Sequence, residues 1–152
     1  RRVDTRVSEL PAFPTTRGGL NSGMMILQYV AADYASQNKV LAHPASADSI
    51  PTSANQEDYV PMGMAAALKA RTAVDNAAHV VAMEYLAAAQ GLEFLKPLKP
   101  GLGPRAAYKR IRRGVPRLEE DRPMAEEIGR VLGWMRDGKL VAAAEKATGA
   151  LA

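Results

Sequence analysis

The chain has 152 residues, 47% apolar and 24% charged, with a formal net charge of +4, which suits one ordinary globular domain with a real core and excludes a disordered chain. It contains no cysteine, so disulfides, thiolate metal sites and cysteine nucleophiles are excluded and a reducing cytoplasm is the simplest home. Its longest apolar run, Val80 to Ala89, is broken by Glu84 and is too short for a bilayer, so no membrane association is expected.

Alanine and methionine are abundant in the apolar share and aromatics are only 5%, which favours closely packed helices over a sheet. The opening Arg1-Arg2-Val3 carries no signal-peptide pattern and lacks an initiator methionine, as a piece of a longer protein would. Residues 1 to 20 hold Pro11, Pro14 and Gly18-Gly19 and read as an extended connecting segment, with a short strand around Val3 to Leu10. Residues 21 to 152 read as helical, with core helices over 21–91 and terminal helices over 104–149.

Asn21 and Ser22 supply capping side chains for a helix from Met24 to about Asn38. That helix is apolar nearly all round, which predicts burial against another chain. Leu41 to Asp58 is rich in Pro, Ser, Ala and Asn; its prolines forbid a continuous helix, and ordered loops of this length often carry function. From Tyr59 or Met62 to Gln90 the residues are strong helix formers, and Gly91 stands where a C-terminal cap is expected. Pro104 suits the first position of a helix ending at Gly114 and Pro116. Asp121 is placed to cap the next helix, with Glu126 and Glu127 in its first turn, and Lys139 to Ala147 form a last one.

The two histidines, His43 and His79, lack metal-ligand spacing, so zinc is not supported. His79 sits in mid-helix among alanines and valines and reads as structural, whereas His43, before Pro44 in the long loop, is a candidate for the site. Gly18, Gly19 and Gly23 match no phosphate-binding fingerprint. The basic cluster Arg105, Lys109, Arg110, Arg112, Arg113 and Arg117 offers phosphate contacts, but no aromatic stacking series accompanies it. A solvated helix face balanced by the following acids is the favoured reading, and no nucleic-acid partner is expected.

The dense polar group is Ser53-Ala54-Asn55-Gln56-Glu57-Asp58-Tyr59. Ser53 and Gln56 have capping-box spacing, which leaves Glu57 to accept a proton or bind a cation near a helix N-terminus.

Three runs stand in order: Asn21-Ser22-Gly23-Met24-Met25, Asn38 to Ser46, and Asp48-Ser49-Ile50-Pro51-Thr52-Ser53-Ala54-Asn55-Gln56-Glu57-Asp58. Their order and spacing resemble aromatic amino acid ammonia-lyases, most closely the histidine ammonia-lyases, clearest from Gly18 to Gly91. The resemblance implies the C-terminal part of an all-α lyase with one long central helix, which eliminates ammonia from L-histidine to give urocanate. It further implies a methylidene-imidazolone electrophile formed from an internal Ala-Ser-Gly, and a homotetramer in which three chains build each active site. Glu57 matches the catalytic-site glutamate of the Asn-Gln-Glu-Asp motif, with Ser53, Asn55, Gln56, Tyr59 and His43 lining the site.

Lyases for phenylalanine or tyrosine tend to place glutamine at that glutamate, since a carboxylate pairs with an imidazole or ammonium and an amide tolerates an apolar ring. Two positions depart from the family pattern: Tyr59 stands where histidine is usual, and Pro61 where serine is usual. They leave a tyrosine or phenylalanine lyase or an aminomutase as the alternative substrate reading; the apolar helix from Met24 and the alanine-rich helix leave a non-catalytic interaction module as the alternative class. Ala-Ser-Gly does not occur in the 152 residues, the nearest match being Ala45-Ser46-Ala47. The chain is therefore expected to be inactive alone, to form no cofactor itself, and to need the N-terminal part of the lyase and further copies as partners.

Overall fold

The structure is a computed structural model and describes residues 10–151. All regular structure among them is helical: α1 Met25–Leu41, α2 Gly63–Phe94, α3 Leu102–Arg112, α4 Ala125–Arg136 and α5 Lys139–Thr148. The expected strand from Val3 to Leu10 lies outside the described residues except for Leu10. No helix among the described residues is long and apolar enough to cross a membrane.

The chain divides into two compact units, Arg1–Val30 with Val81–Ala152, and Ala31–Val80. The first holds the apolar core. Ala82, Met83, Leu86 and Ala89 are buried along the second half of α2 at the three- and four-residue spacing of one helix face, and Leu10, Met24 and Leu27 are buried with them. Ile111, Val115, Leu118, Met124, Val131, Leu132 and Leu140 complete that core, and α5 packs chiefly on α3 and secondarily on α4.

A fully buried glutamine ties this unit together. Gln90 Nε2 donates to the carbonyls of Leu118 (2.8 Å) and Pro14 (3.3 Å), while its Oε1 accepts from Leu118 N–H at 3.1 Å. Its polar atoms are thereby satisfied, which is the condition under which burying an amide is tolerable.

Three helix-end expectations are corrected. Gly91 does not cap α2, which continues to Phe94 until Pro97 and Pro100 forbid more helix; Gly91 is buried within it, where an added Cβ would stand 3.1 Å from Leu10 Cδ1. Close packing against Leu10 leaves little room for a larger residue there. Pro104 is the third residue of α3, not the first, because Gly101 caps a helix that starts at Leu102.

Asp121 does not cap α4, whose N-cap is Met124 without a side-chain bond. Its carboxylate instead accepts from the backbone N–H of Ser22 (2.7 Å) and Gly23 (2.8 Å) just ahead of α1. Those two bonds hold the Asp121 carboxyl below its ordinary value.

The second unit, Ala31–Val80, contains the later part of α1, the loop from Ala42 to Met62 and the first part of α2. Its buried residue is a polar one, Asn76, whose Nδ2 donates to Asn38 Oδ1 at 3.0 Å while Asn38 Nδ2 donates to the Ala73 carbonyl at 3.1 Å. Tyr34 stacks on His79 with ring centroids 5.1 Å apart, so His79 serves as a packing residue here, its Nδ1 2.8 Å from the Asp75 carbonyl. Val40, Ile50, Tyr59, Met64, Leu68 and Val74 are all exposed.

Candidate functional site

The loop between α1 and α2 closes on itself through two polar latches. Ser49 Oγ accepts from Val60 N–H at 2.8 Å and faces the Val60 carbonyl at 3.3 Å. Inside that latch, Thr52 and Glu57 form an antiparallel bridge: Thr52 N–H donates to the Glu57 carbonyl (2.9 Å) and Glu57 N–H to the Thr52 carbonyl (3.3 Å). The Thr52 hydroxyl donates to Glu57 Oε2 at 2.8 Å.

The turn that joins the bridge is unusual. Ser53, Ala54 and Asn55 take φ of 54°, 54° and 68°, three consecutive residues in the left-handed region. Each non-glycine residue held there costs roughly 1–2 kcal/mol, tolerable only where the surrounding bonds over-determine the turn. The Gln56 N–H to Ser53 carbonyl bond at 3.1 Å and the Thr52–Glu57 bridge supply that constraint.

Ser53, Asn55, Gln56, Glu57 and Tyr59 therefore lie together on one exposed loop. The capping-box reading of Ser53 and Gln56 is corrected: the long helix begins at Gly63, and Ser53 with Gln56 forms a turn well ahead of it. Met62 at φ 51° breaks any helical run from the loop into α2. Glu57 consequently lies outside the first turn of α2, beyond the range of the helix dipole, and the hydroxyl of Thr52 takes the place of the expected helix N-terminus. Sequence reasoning missed Thr52, whose only signal was its place across the turn from Glu57. His43 follows the end of α1 in the same loop and enters through its backbone, its carbonyl accepting from Lys69 Nζ.

Three other polar groups belong to the first unit. Glu93, with a side chain 6% exposed, accepts from Tyr108 Oη and Arg112 Nε and pairs with Lys96 Nζ at 2.7 Å. Burial alone raises its carboxyl, but the bonds from Lys96, Tyr108 and Arg112 outweigh burial and bring it down to about 2. Burial and the same hydrogen bond push the Tyr108 phenol up.

The basic cluster is partly spent inside the fold. Arg110 lies over Trp134 at 4.1 Å, Arg117 over Phe94 at 5.4 Å, and Arg112 is taken by Glu93. An open cleft of about 800 Å³ is lined by both signs of charge, Arg17, Arg117 and Arg122 against Glu119, Glu120 and Asp121. Within it Arg17 pairs with Glu120 at 3.6 Å, and Arg122 pairs with Glu127 outside the lining at 2.9 Å.

Among the described residues the chain is an all-α scaffold with one very long helix, preceded by a self-latched polar loop. The family model described as aromatic amino acid lyase matches residues 1–113, and the chain belongs to that family. Among curated relatives, the histidine ammonia-lyase of Alkaliphilus oremlandii is 54% identical over 97% of this chain, and that of Symbiobacterium thermophilum is 52% identical over 99%. The chain spans only 29% and 30% of those two proteins.

Solved structures agree on the fold. A histidine ammonia-lyase from Trypanosoma cruzi superposes with a TM-score of 0.90 at 41% identity, covering 97% of this chain and 29% of that one. A tyrosine aminomutase from Streptomyces globisporus superposes at 0.91 and 32% identity, covering 99% of this chain and 29% of that one.

Proposed function

We propose that this chain is the C-terminal part of a histidine ammonia-lyase that eliminates ammonia from L-histidine to give urocanate in the cytoplasm, with Glu57 at the active site. The observation that carries the reading is Glu57 itself: an exposed carboxylate on a loop latched in one conformation, within a segment about half identical to histidine ammonia-lyases. Glu57 Oε2 is taken by Thr52, which leaves Oε1 to pair with the imidazole or ammonium of a substrate. Ser53, Asn55, Gln56, Tyr59 and His43 are assigned to the wall around it.

The residues present do not fit the methylidene-imidazolone group, since Ala-Ser-Gly is not among them. That electrophile, which would activate the substrate toward loss of ammonia, belongs to another part of the lyase, and the chain alone is expected to be inactive. The exposed apolar residues of the Ala31–Val80 unit support assembly with that part and with further copies, as a tetramer.

The test is Glu57→Gln in the complete lyase, followed by urocanate absorbance. Losing the charge that pairs with the substrate's imidazole or ammonium predicts a fall in kcat/KM for L-histidine of roughly 100-fold. An unchanged rate removes Glu57 from the mechanism. A second reading, an aminomutase or a lyase for tyrosine or phenylalanine, draws on Tyr59 and on the likeness to the aminomutase structure. Turnover of L-tyrosine but not L-histidine by the same complete enzyme would favour it.

A further inference from the structure

The geometry points to Thr52 as the positioning residue of Glu57: its hydroxyl fixes the carboxylate so that one oxygen, Oε1, faces the substrate. The inference rests on the assignment of Glu57 to the active site and adds the residue that orients it. A glutamate side chain has three rotatable bonds and, on an exposed loop, spreads over many rotamers. Two features of this loop remove that freedom. The backbone bridge between Thr52 and Glu57 sets the two Cα atoms opposite each other, as in a strand pair, so that their side chains are neighbours. The Thr52 hydroxyl then donates to Oε2 at 2.8 Å.

The strain of the turn bears on the same point. Three left-handed residues, Ser53, Ala54 and Asn55, are what bring Thr52 and Glu57 into register across so short a connection. Ser53 and Ala54 are not glycine, so they are held against their own backbone preference by the bridge and by the Ser49 latch at the loop's base. A carboxylate that only needed to be near the substrate would not require this. One whose lone pair must be aimed does, because a hydrogen-bonded charge pair loses strength steeply with misalignment.

Thr52 touches Glu57 and is given no contact with the reacting atoms. Removing its hydroxyl is therefore expected to weaken substrate capture, not to abolish turnover. In the complete lyase, Thr52→Val should raise KM for L-histidine roughly tenfold while changing kcat much less, the loss expected of one hydrogen bond to a charged group. Thr52→Ser, which keeps the hydroxyl, should restore KM to within about twofold of the parent.

The discriminating measurement repeats Thr52→Val in a Glu57→Ala background. If Thr52 acts through the carboxylate, the second substitution adds nothing there. Independent, multiplying losses would give Thr52 a merely structural part and overturn the inference, as would a Thr52→Val enzyme with parental KM. A Thr52→Val enzyme that fails to fold and is not rescued by serine overturns it equally. An unchanged rate in Glu57→Ala alone would sink the assignment of Glu57 first, so the two failures are told apart.

Discussion

Glu93 shows how a single side chain organises its surroundings. Nothing in its sequence context marks it, yet Lys96, Tyr108 and Arg112 converge on one carboxylate whose side chain is nearly buried. Its carboxyl is brought from an ordinary 4.5 to about 2, so it binds its proton less readily folded than unfolded. The stabilisation is then fully present above about pH 4.5 and is lost as pH falls toward 2. Acid unfolding followed by circular dichroism should show stability declining across that window. Glu93→Gln should flatten the decline and cost up to about 3 kcal/mol at neutral pH. Parallel declines in the parent and the Glu93→Gln protein would assign the acid sensitivity elsewhere.

At the scale of elements, the start of α1 is set by a distant part of the chain. Gly23 has φ 57°, and an added Cβ would fall 2.2 Å from the Phe13 carbonyl oxygen, while its N–H is held by Asp121. Gly23→Ala meets backbone on one side and a left-handed penalty on the other, with neither free to yield. It is expected to destabilise by roughly 3 kcal/mol or more, read as a lowered midpoint in urea unfolding. Gly133→Ala in α4, where nothing stands within 4 Å, is the control and should be neutral or slightly stabilising.

The existence of the helices was legible in sequence, because alanine, leucine and methionine in long runs between prolines leave few alternatives. Their caps were not. Asp121 and Gly91 each carry a strong local signal, and each was claimed by a contact from elsewhere in the chain, the α1 start for one and Leu10 for the other. The same holds in the loop, where Ser53 and Gln56 spell a capping box but the left-handed turn and Met62 place the helix start at Gly63.

For the molecule as a whole, the distribution of apolar side chains is the informative quantity. One unit has a continuous set of buried apolar residues, whereas the Ala31–Val80 unit buries Asn76 and exposes Met64 and Leu68 one turn apart on α2. A face of that kind is complete only when something covers it, which agrees with a chain spanning about 29% of its relatives. In the complete lyase, Met64→Glu with Leu68→Glu should shift the assembly to smaller species in sedimentation, since each side chain forfeits about 1.5–3 kcal/mol of burial. An assembly of parental size would show that this face is not an interface.

The all-helical class, the family and the loop on which Glu57 sits were legible in the residues alone, since each depends on residue types in local order. The hydrogen bond from Thr52 to Glu57, the tight backbone approach at Gly23, and the groups that Asp121 and Gln90 hold emerged only from the fold. Those depend on groups far apart in the chain meeting at hydrogen-bond distance, or on a backbone turn whose left-handed Ser53 and Ala54 local preference would not have chosen.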